Sequence, residues 1–262
     1  DPMPRICAAR IELRDQGDPD AALQTLEGAF DFIDEERDLV EAIVVRTEAL
    51  IAIDDLEDAR ESLAELATSV IDEPELALDL AELALAAEDP STAARYVEIA
   101  RTDKGLEADA LHLLGRIHEA RGEQAEMIAA WKQVRALDAA APPPQVSISE
   151  DEVERIALAA LELLPPEVRT KLANVPILID GQPSDELLAD GLDPRLLGLF
   201  NGTPMTDDLA PVITNIHLFK HNLERIAANL DELSAEITIT VLHETAHYFG
   251  LEEDDLVQLG LD

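Results

Sequence analysis

Glu88-Asp89-Pro90-Ser91-Thr92-Ala93-Ala94-Arg95-Tyr96-Val97-Glu98-Ile99-Ala100 is the stretch on which the reading of the first half of the chain turns. A polar break, Glu88-Asp89-Pro90, is followed by apolar residues three and four apart, so a helix with one buried face opens directly after a turn. Ala93 stands five residues after Glu88, Val97 nine after and Ala100 twelve after. The same order recurs on both sides. The other breaks are Gly17-Asp18-Pro19, Asp54-Asp55 and Gly122-Glu123, and the anchors Gly17, Asp54, Glu88 and Gly122 are spaced by 37, 34 and 34 residues. Ala22, Ala59 and Met127 match Ala93. Leu26, Leu63 and Trp131 match Val97, and Ala29, Leu66 and Val134 match Ala100. Ala, Leu and Glu dominate between the breaks, which favours helix throughout.

Residues 1–140 therefore read as an all-α array of helical hairpins, and a period near 34 residues resembles the tetratricopeptide (TPR) repeat. The likeness is clearest in Leu111-x-x-Leu114-Gly115-x-x-His118…Trp131, where Gly115, like Ala81 in the preceding repeat, supplies a small residue at the helix crossing. It is weakest in the first hairpin, where Arg10 takes the small position. The resemblance implies stacked hairpins with a concave surface suited to a protein partner. His112 and His118 read as ordinary helix residues, and Trp131 as a packing residue.

At Ala141-Pro142-Pro143-Pro144 the helical pattern stops, because successive prolines cannot continue a helix. Residues 141–148 are expected to be a linker and residues 149–262 a second domain. Ser149 with Glu152 forms a capping box opening a helix that runs to Leu164. Val175–Ile179 reads as a short strand closed by Asp180-Gly181, and Leu197–Phe200 as another, ended by the turn pair Asn201-Gly202. Ile213–Phe219 is a third. The expected architecture is thus multidomain, an all-α array followed by a small α+β domain.

Composition narrows the function. Of 262 residues, 57 are acidic and 19 basic, a formal net charge of -38, so approach to nucleic acid or to an anionic membrane is opposed electrostatically. A hydrophobic content of 47% is too high for a disordered chain. No apolar run is long enough for a membrane span. The single cysteine, Cys7, excludes an internal disulfide framework and a cysteine-based zinc cluster. Scarce lysine in so acidic a chain suits a salty environment, where counterions screen self-repulsion, or reflects a biased genome composition. The chain opens Asp1-Pro2-Met3-Pro4 without a charged-then-apolar leader, so a cytoplasmic location is expected, a leader already removed being the alternative.

The chemistry lies in Thr240-Val241-Leu242-His243-Glu244-Thr245-Ala246-His247-Tyr248-Phe249-Gly250. This is His-Glu-x-x-His in an expected helix beginning near Leu233. Residues four apart share a helix face, so the imidazoles of His243 and His247 reach one metal ion, and zinc suits such ligands. Glu244, rotated around the helix from them, is placed to take a proton from water as that water attacks a carbonyl. Beyond Gly250, Glu253 falls three residues after the glycine and is the expected third ligand, with Asp254 as the alternative.

The C-terminal part, about 110 residues, resembles the minimal zincin-type metallopeptidases of bacteria. The motif His243–Asp254 carries the likeness, preceded by Leu197-Gly198-Leu199-Phe200-Asn201-Gly202 and Ile216-His217-Leu218-Phe219. Glu253 stands where aspartate is commoner. The resemblance implies a small mixed sheet over the motif helix, one zinc per chain, and peptide-bond hydrolysis. It also implies an edge strand that binds substrate backbone by strand addition, for which Ile216, His217, Leu218 and Phe219 are the candidates, a core strand being the reading their apolar content favours. His217 and His221 are expected to be structural. The reading is a zinc-dependent peptidase acting on a protein or peptide substrate, with the repeats recruiting a partner or that substrate. The alternative is a non-catalytic interaction module carrying a structural or inactive metal site. Oligomeric state stays open.

Overall fold

The computed structural model describes residues 2–203 and 212–248, and the chain divides into two compact units, 1–134 and 135–262. In the first, helices follow in close succession: α1 (Met3–Arg14), α2 (Pro19–Phe30), α3 (Glu36–Ala52), α4 (Leu56–Ala64, continued by a 3-10 turn over Glu65–Thr68), α5 (Pro74–Ala86), α6 (Pro90–Ala100), α7 (Glu107–Ala120) and the start of α8 (Gln124–Ala140), whose residues from Arg135 on belong to the second unit. Sequence neighbours pack on each other, α1 on α2, α3 on α4 and α5 on α6.

One turn chemistry recurs through this unit. The four residues that anchor the sequence register all have left-handed backbone, with φ of 65° at Gly17, 61° at Asp54, 57° at Glu88 and 72° at Gly122. The residue after each sends its N–H back to the finished helix: Asp18 to Glu12 O, Asp55 to Leu50 O, Asp89 to Ala84 O and Glu123 to His118 O, all at 2.8–2.9 Å. This satisfies carbonyls that the helix end leaves unpaired. The carboxylates of Asp18, Asp55 and Asp89 then cap the next helix by accepting the N–H of Ala21, Asp58 and Thr92. All twelve register positions are buried. The small position in α7 has a direct cause, since a Cβ on Gly115 would stand 2.0 Å from Trp131 Nε1. The indole lies on that glycine and donates to His112 O at 3.4 Å.

The second unit holds α9 (Glu150–Leu161), α10 (Pro166–Leu172), β1 (Ile177–Asp180), α11 (Asp185–Ala189), β2 (Gly198–Thr203), β3 (Val212–Phe219), α12 (Lys220–Ile226) and α13 (Leu230–Tyr248). The strands form a mixed sheet of order β1-β3-β2, with β1 parallel and β2 antiparallel to β3. Its core joins Val153, Ile156 and Ala157 of α9, Ile216 and Leu218 of β3, Leu223 of α12, and Leu233, Ile237 and Val241 of α13. Ser149 caps α9 as expected, accepting the Glu152 N–H at 3.2 Å, but the helix stops at Leu161. Asn201-Gly202 makes no turn. Pairing continues to Thr203 through a bulge at these residues, and Asn201 Nδ2 donates to Asn215 Oδ1 across the strands at 3.0 Å.

Two buried carboxylates fasten the segments around the sheet. Asp138, near the end of α8 and 4% exposed, receives both Arg195 (3.0 and 3.2 Å) and Arg225 (2.5 Å). Glu224 on α12 accepts from Ser147 Oγ at 2.8 Å and Ile148 N–H at 3.0 Å, and pairs with Lys220 at 2.8 Å. Val146 and Ile148 pack on the core beside it, so the chain after the prolines is held against this unit. Among the described residues, no helix is long and apolar enough to cross a membrane.

Candidate functional site

The motif helix α13 begins earlier than the sequence reading placed it. Asn229 Oδ1 accepts the N–H groups of Asp231 and Glu232 at 3.0 Å, while Glu232 accepts from the Ala228 N–H at 2.9 Å and the Asn229 amide at 2.7 Å. This reciprocal cap starts the helix at Leu230, and Asn229-x-x-Glu232 was its signal in the sequence. Leu233, Ile237 and Val241 turn into the core, and Thr245 donates to Val241 O at 2.7 Å. The helix is continuous from Leu230 to Tyr248, so His243, Glu244 and His247 share one regular element with the two histidines a turn apart.

Thr240 and Glu244, also one turn apart, lie against β2. The contact is close because residue 198 is glycine: a Cβ there would stand 2.6 Å from Thr240 Cγ2, 3.3 Å from Glu244 Cγ and 3.3 Å from His217 O. With the strand this near, Glu244 Oε2 accepts the Phe200 N–H at 3.1 Å. The bond ties the carboxylate to β2 and sets its direction. The sequence places Gly198 and Phe200 in a strand and in the zincin-type likeness without giving either a role. The signal for their role was the lone glycine inside an apolar strand, which marks a close approach by another element.

The position of β2 is itself built. Asn222 Nδ2 on α12 donates to Pro194 O at 2.9 Å and Leu196 O at 2.8 Å, and the Phe219 N–H donates to Leu197 O at 2.9 Å. With Arg195 on Asp138, these bonds deliver the chain into β2 at a set place beneath α13.

Ile216, His217, Leu218 and Phe219, candidates for an edge strand with a core strand as the alternative, lie on the central strand. β1 pairs with all four and β2 with the first three, so their backbone groups are engaged and substrate addition at this strand is corrected. Ile216, Leu218 and Phe219 are fully buried. His217 alternates with Ile216 and Leu218 and so points to the sheet face away from α13, where its Nδ1 meets Asp180 Oδ2 at 2.9 Å and its ring stacks on Phe219 at 6.1 Å. His221 sits on α12 with Nε2 3.2 Å from Asp138 O, so the two histidines occupy different elements.

The donor set suits zinc as far as it is described: two imidazole-bearing positions one helical turn apart, with the intervening carboxylate directed to a strand N–H. Among the described residues, no group of three or more His, Cys, Asp and Glu is gathered to hold a metal. The His247 side chain, Gly250, Glu253 and Asp254 lie outside the described residues. No curated protein matches this chain. Over residues 172–261, which hold the three strands, α11 to α13 and the His-Glu-x-x-His motif, the chain matches the family model described as zincin-like metallopeptidase.

Proposed function

We propose that the chain is a zinc-dependent peptidase in which His243, His247 and Glu253, or Asp254 in its place, hold one zinc ion and Glu244 is the general base. The observation that carries this reading is the Glu244 carboxylate held at the edge of β2 by a helix that also presents His243 and His247 a turn apart. Zinc at such a site supplies a Lewis acid and acidifies bound water. The residues of the chain do the rest. Glu244 accepts the proton of the attacking water at a carboxylate oxygen and passes it to the departing amine. The strand that flanks the motif helix is β2, and its outer side is where an extended substrate backbone would lie.

The helical unit is proposed as a TPR-like recruitment domain over residues 1–140, followed by the segment 141–148 and the catalytic domain 149–262. Its shared turn chemistry and buried register support that reading. So does a cleft of about 520 Å³ lined by Arg10, Arg14, Val40, Val44, Ile71 and Asp79 among others. Reversing charge at Arg14 should then raise KM for a protein substrate while leaving cleavage of short peptides unchanged.

Elemental analysis of the full chain should find about one zinc, lost in His247→Ala. Glu244→Gln should keep the zinc and abolish cleavage of a casein-derived peptide mixture. Third-ligand choice follows from comparing zinc affinity in Glu253→Ala and Asp254→Ala. Zinc-loaded wild type that cleaves no peptide would refute the enzyme and leave the interaction module.

A further inference from the structure

Along β2 the backbone N–H groups alternate between two sides. Leu197 O takes the Phe219 N–H, and Leu199 lies opposite His217, so the amide of Leu199 turns toward β3 while those of Gly198 and Phe200 turn outward. On that outer side the Phe200 N–H donates to Glu244 Oε2 at 3.1 Å. Gly198 makes this possible, because any side chain there would hold α13 away from the strand. A peptide that added to β2 as a further strand would need the same outward N–H for one of its own carbonyls. One hydrogen serves one strong, linear acceptor at a time.

We propose that the Phe200 N–H of β2 latches Glu244 in the resting protein, and that a peptide backbone pairing with β2 takes that N–H from the carboxylate. Binding of an extended peptide and loss of this bond to the base are then one event. The competition follows from the geometry alone; what the carboxylate does next rests on the peptidase reading above. No bond is made or broken beyond this exchange of acceptors, and no proton moves.

The test uses the full chain without metal and, as probe, a capped hexapeptide of alternating valine and lysine. Its backbone favours the extended form, and its charge suits an acidic protein. Binding is titrated for wild type, Glu244→Ala and Glu244→Gln while the Phe200 amide is followed by NMR and hydrogen exchange. In the absence of peptide, the Phe200 amide should exchange about tenfold faster in Glu244→Ala than in wild type. The peptide should bind Glu244→Ala about tenfold more tightly than wild type, because no latch has to be displaced. Glu244→Gln keeps an acceptor and should resemble wild type within about twofold. Charge alone predicts the reverse order, since removing a carboxylate weakens attraction for a basic peptide.

Equal affinities in wild type and Glu244→Ala would overturn the latch, as would no binding to either protein or a Phe200 amide indifferent to Glu244. Zinc content and cleavage play no part in these measurements. If cleavage occurs without competition, the latch fails and the peptidase reading stands; if competition occurs without cleavage, the reverse holds.

Discussion

Replacing Gly198 with alanine tests the approach of β2 to α13 on which the site depends. The new Cβ would stand 2.6 Å from Thr240 Cγ2. Carbon atoms pack at about 3.5–4.0 Å, so the methyl intrudes by roughly 1 Å. Overpacking of this kind costs about 1–3 kcal/mol, and alanine recovers about 0.5–1 kcal/mol over glycine through lower chain entropy. The expected net loss is about 1–2 kcal/mol. Thr240→Ser removes the methyl that is struck and by itself costs about 1 kcal/mol, for one buried methyl. In the double variant the alanine methyl occupies the vacated space, although Glu244 Cγ and His217 O, each at 3.3 Å, still have to give slightly. A favourable coupling of about 1–2 kcal/mol should therefore appear in the double-mutant cycle. Trp131 lies in the first unit, so tryptophan emission is not the readout. Urea unfolding by circular dichroism, with hydrogen exchange over residues 198–219, reports on the right region. Two singles that add within about 0.5 kcal/mol would refute the close approach and, with it, the reason given for the Phe200–Glu244 bond.

Burial, then the neighbouring Glu48 carboxylate, push the Asp79 carboxyl above its ordinary 3.8 while Arg14 opposes them; burial, then Asp79, push Glu82 above its ordinary 4.5. A carboxyl with a raised folded-state pKa holds more protons folded than unfolded, so this contribution to stability falls as pH rises through the shifted range. Asp79→Asn should stabilise the first unit at pH 7 by less than about 1 kcal/mol, an effect that shrinks to nothing only well below the ordinary 3.8, read from Trp131 emission in urea; a pH-independent effect would contradict it. Glu88→Gly should stabilise by about 0.5–1 kcal/mol in thermal unfolding, since φ is 57° there and glycine relieves a left-handed penalty larger than its entropic cost. Asp138→Ala should destabilise the second unit by about 3–5 kcal/mol, because it removes the buried carboxylate that Arg195 and Arg225 share. Faster exchange across residues 193–197 would accompany that loss, and a cost below about 1 kcal/mol would show the pairing to be incidental.

The helices of the first unit were legible because the turns that separate them are local devices. A left-handed residue, an aspartate cap and apolar residues at five, nine and twelve positions on all act within a few turns of chain, so Glu88–Ala100 carries its own instructions. The motif helix was legible for the same reason, and its true start at Leu230 was written in Asn229 and Glu232. Strand order was not legible. Ile216–Phe219 has the apolar content of either an edge or a central strand, and only pairing with both β1 and β2 makes it central. Asn201-Gly202 read as a turn because its dipeptide favours one; cross-strand pairing turned it into a bulge.

Helices, their caps, and the spacing of His243, Glu244 and His247 belong to the sequence by itself, since the interactions that set them span six residues or fewer. The tertiary structure alone decided where the Glu244 carboxylate goes. Its partner, the Phe200 N–H, is 44 residues away, and the meeting depends on glycine at 198, on Asn222 holding the chain before β2, and on β3 filling the middle of the sheet. A backbone N–H has no signature in the residue type that bears it, so only long-range packing reveals which one a side chain will find.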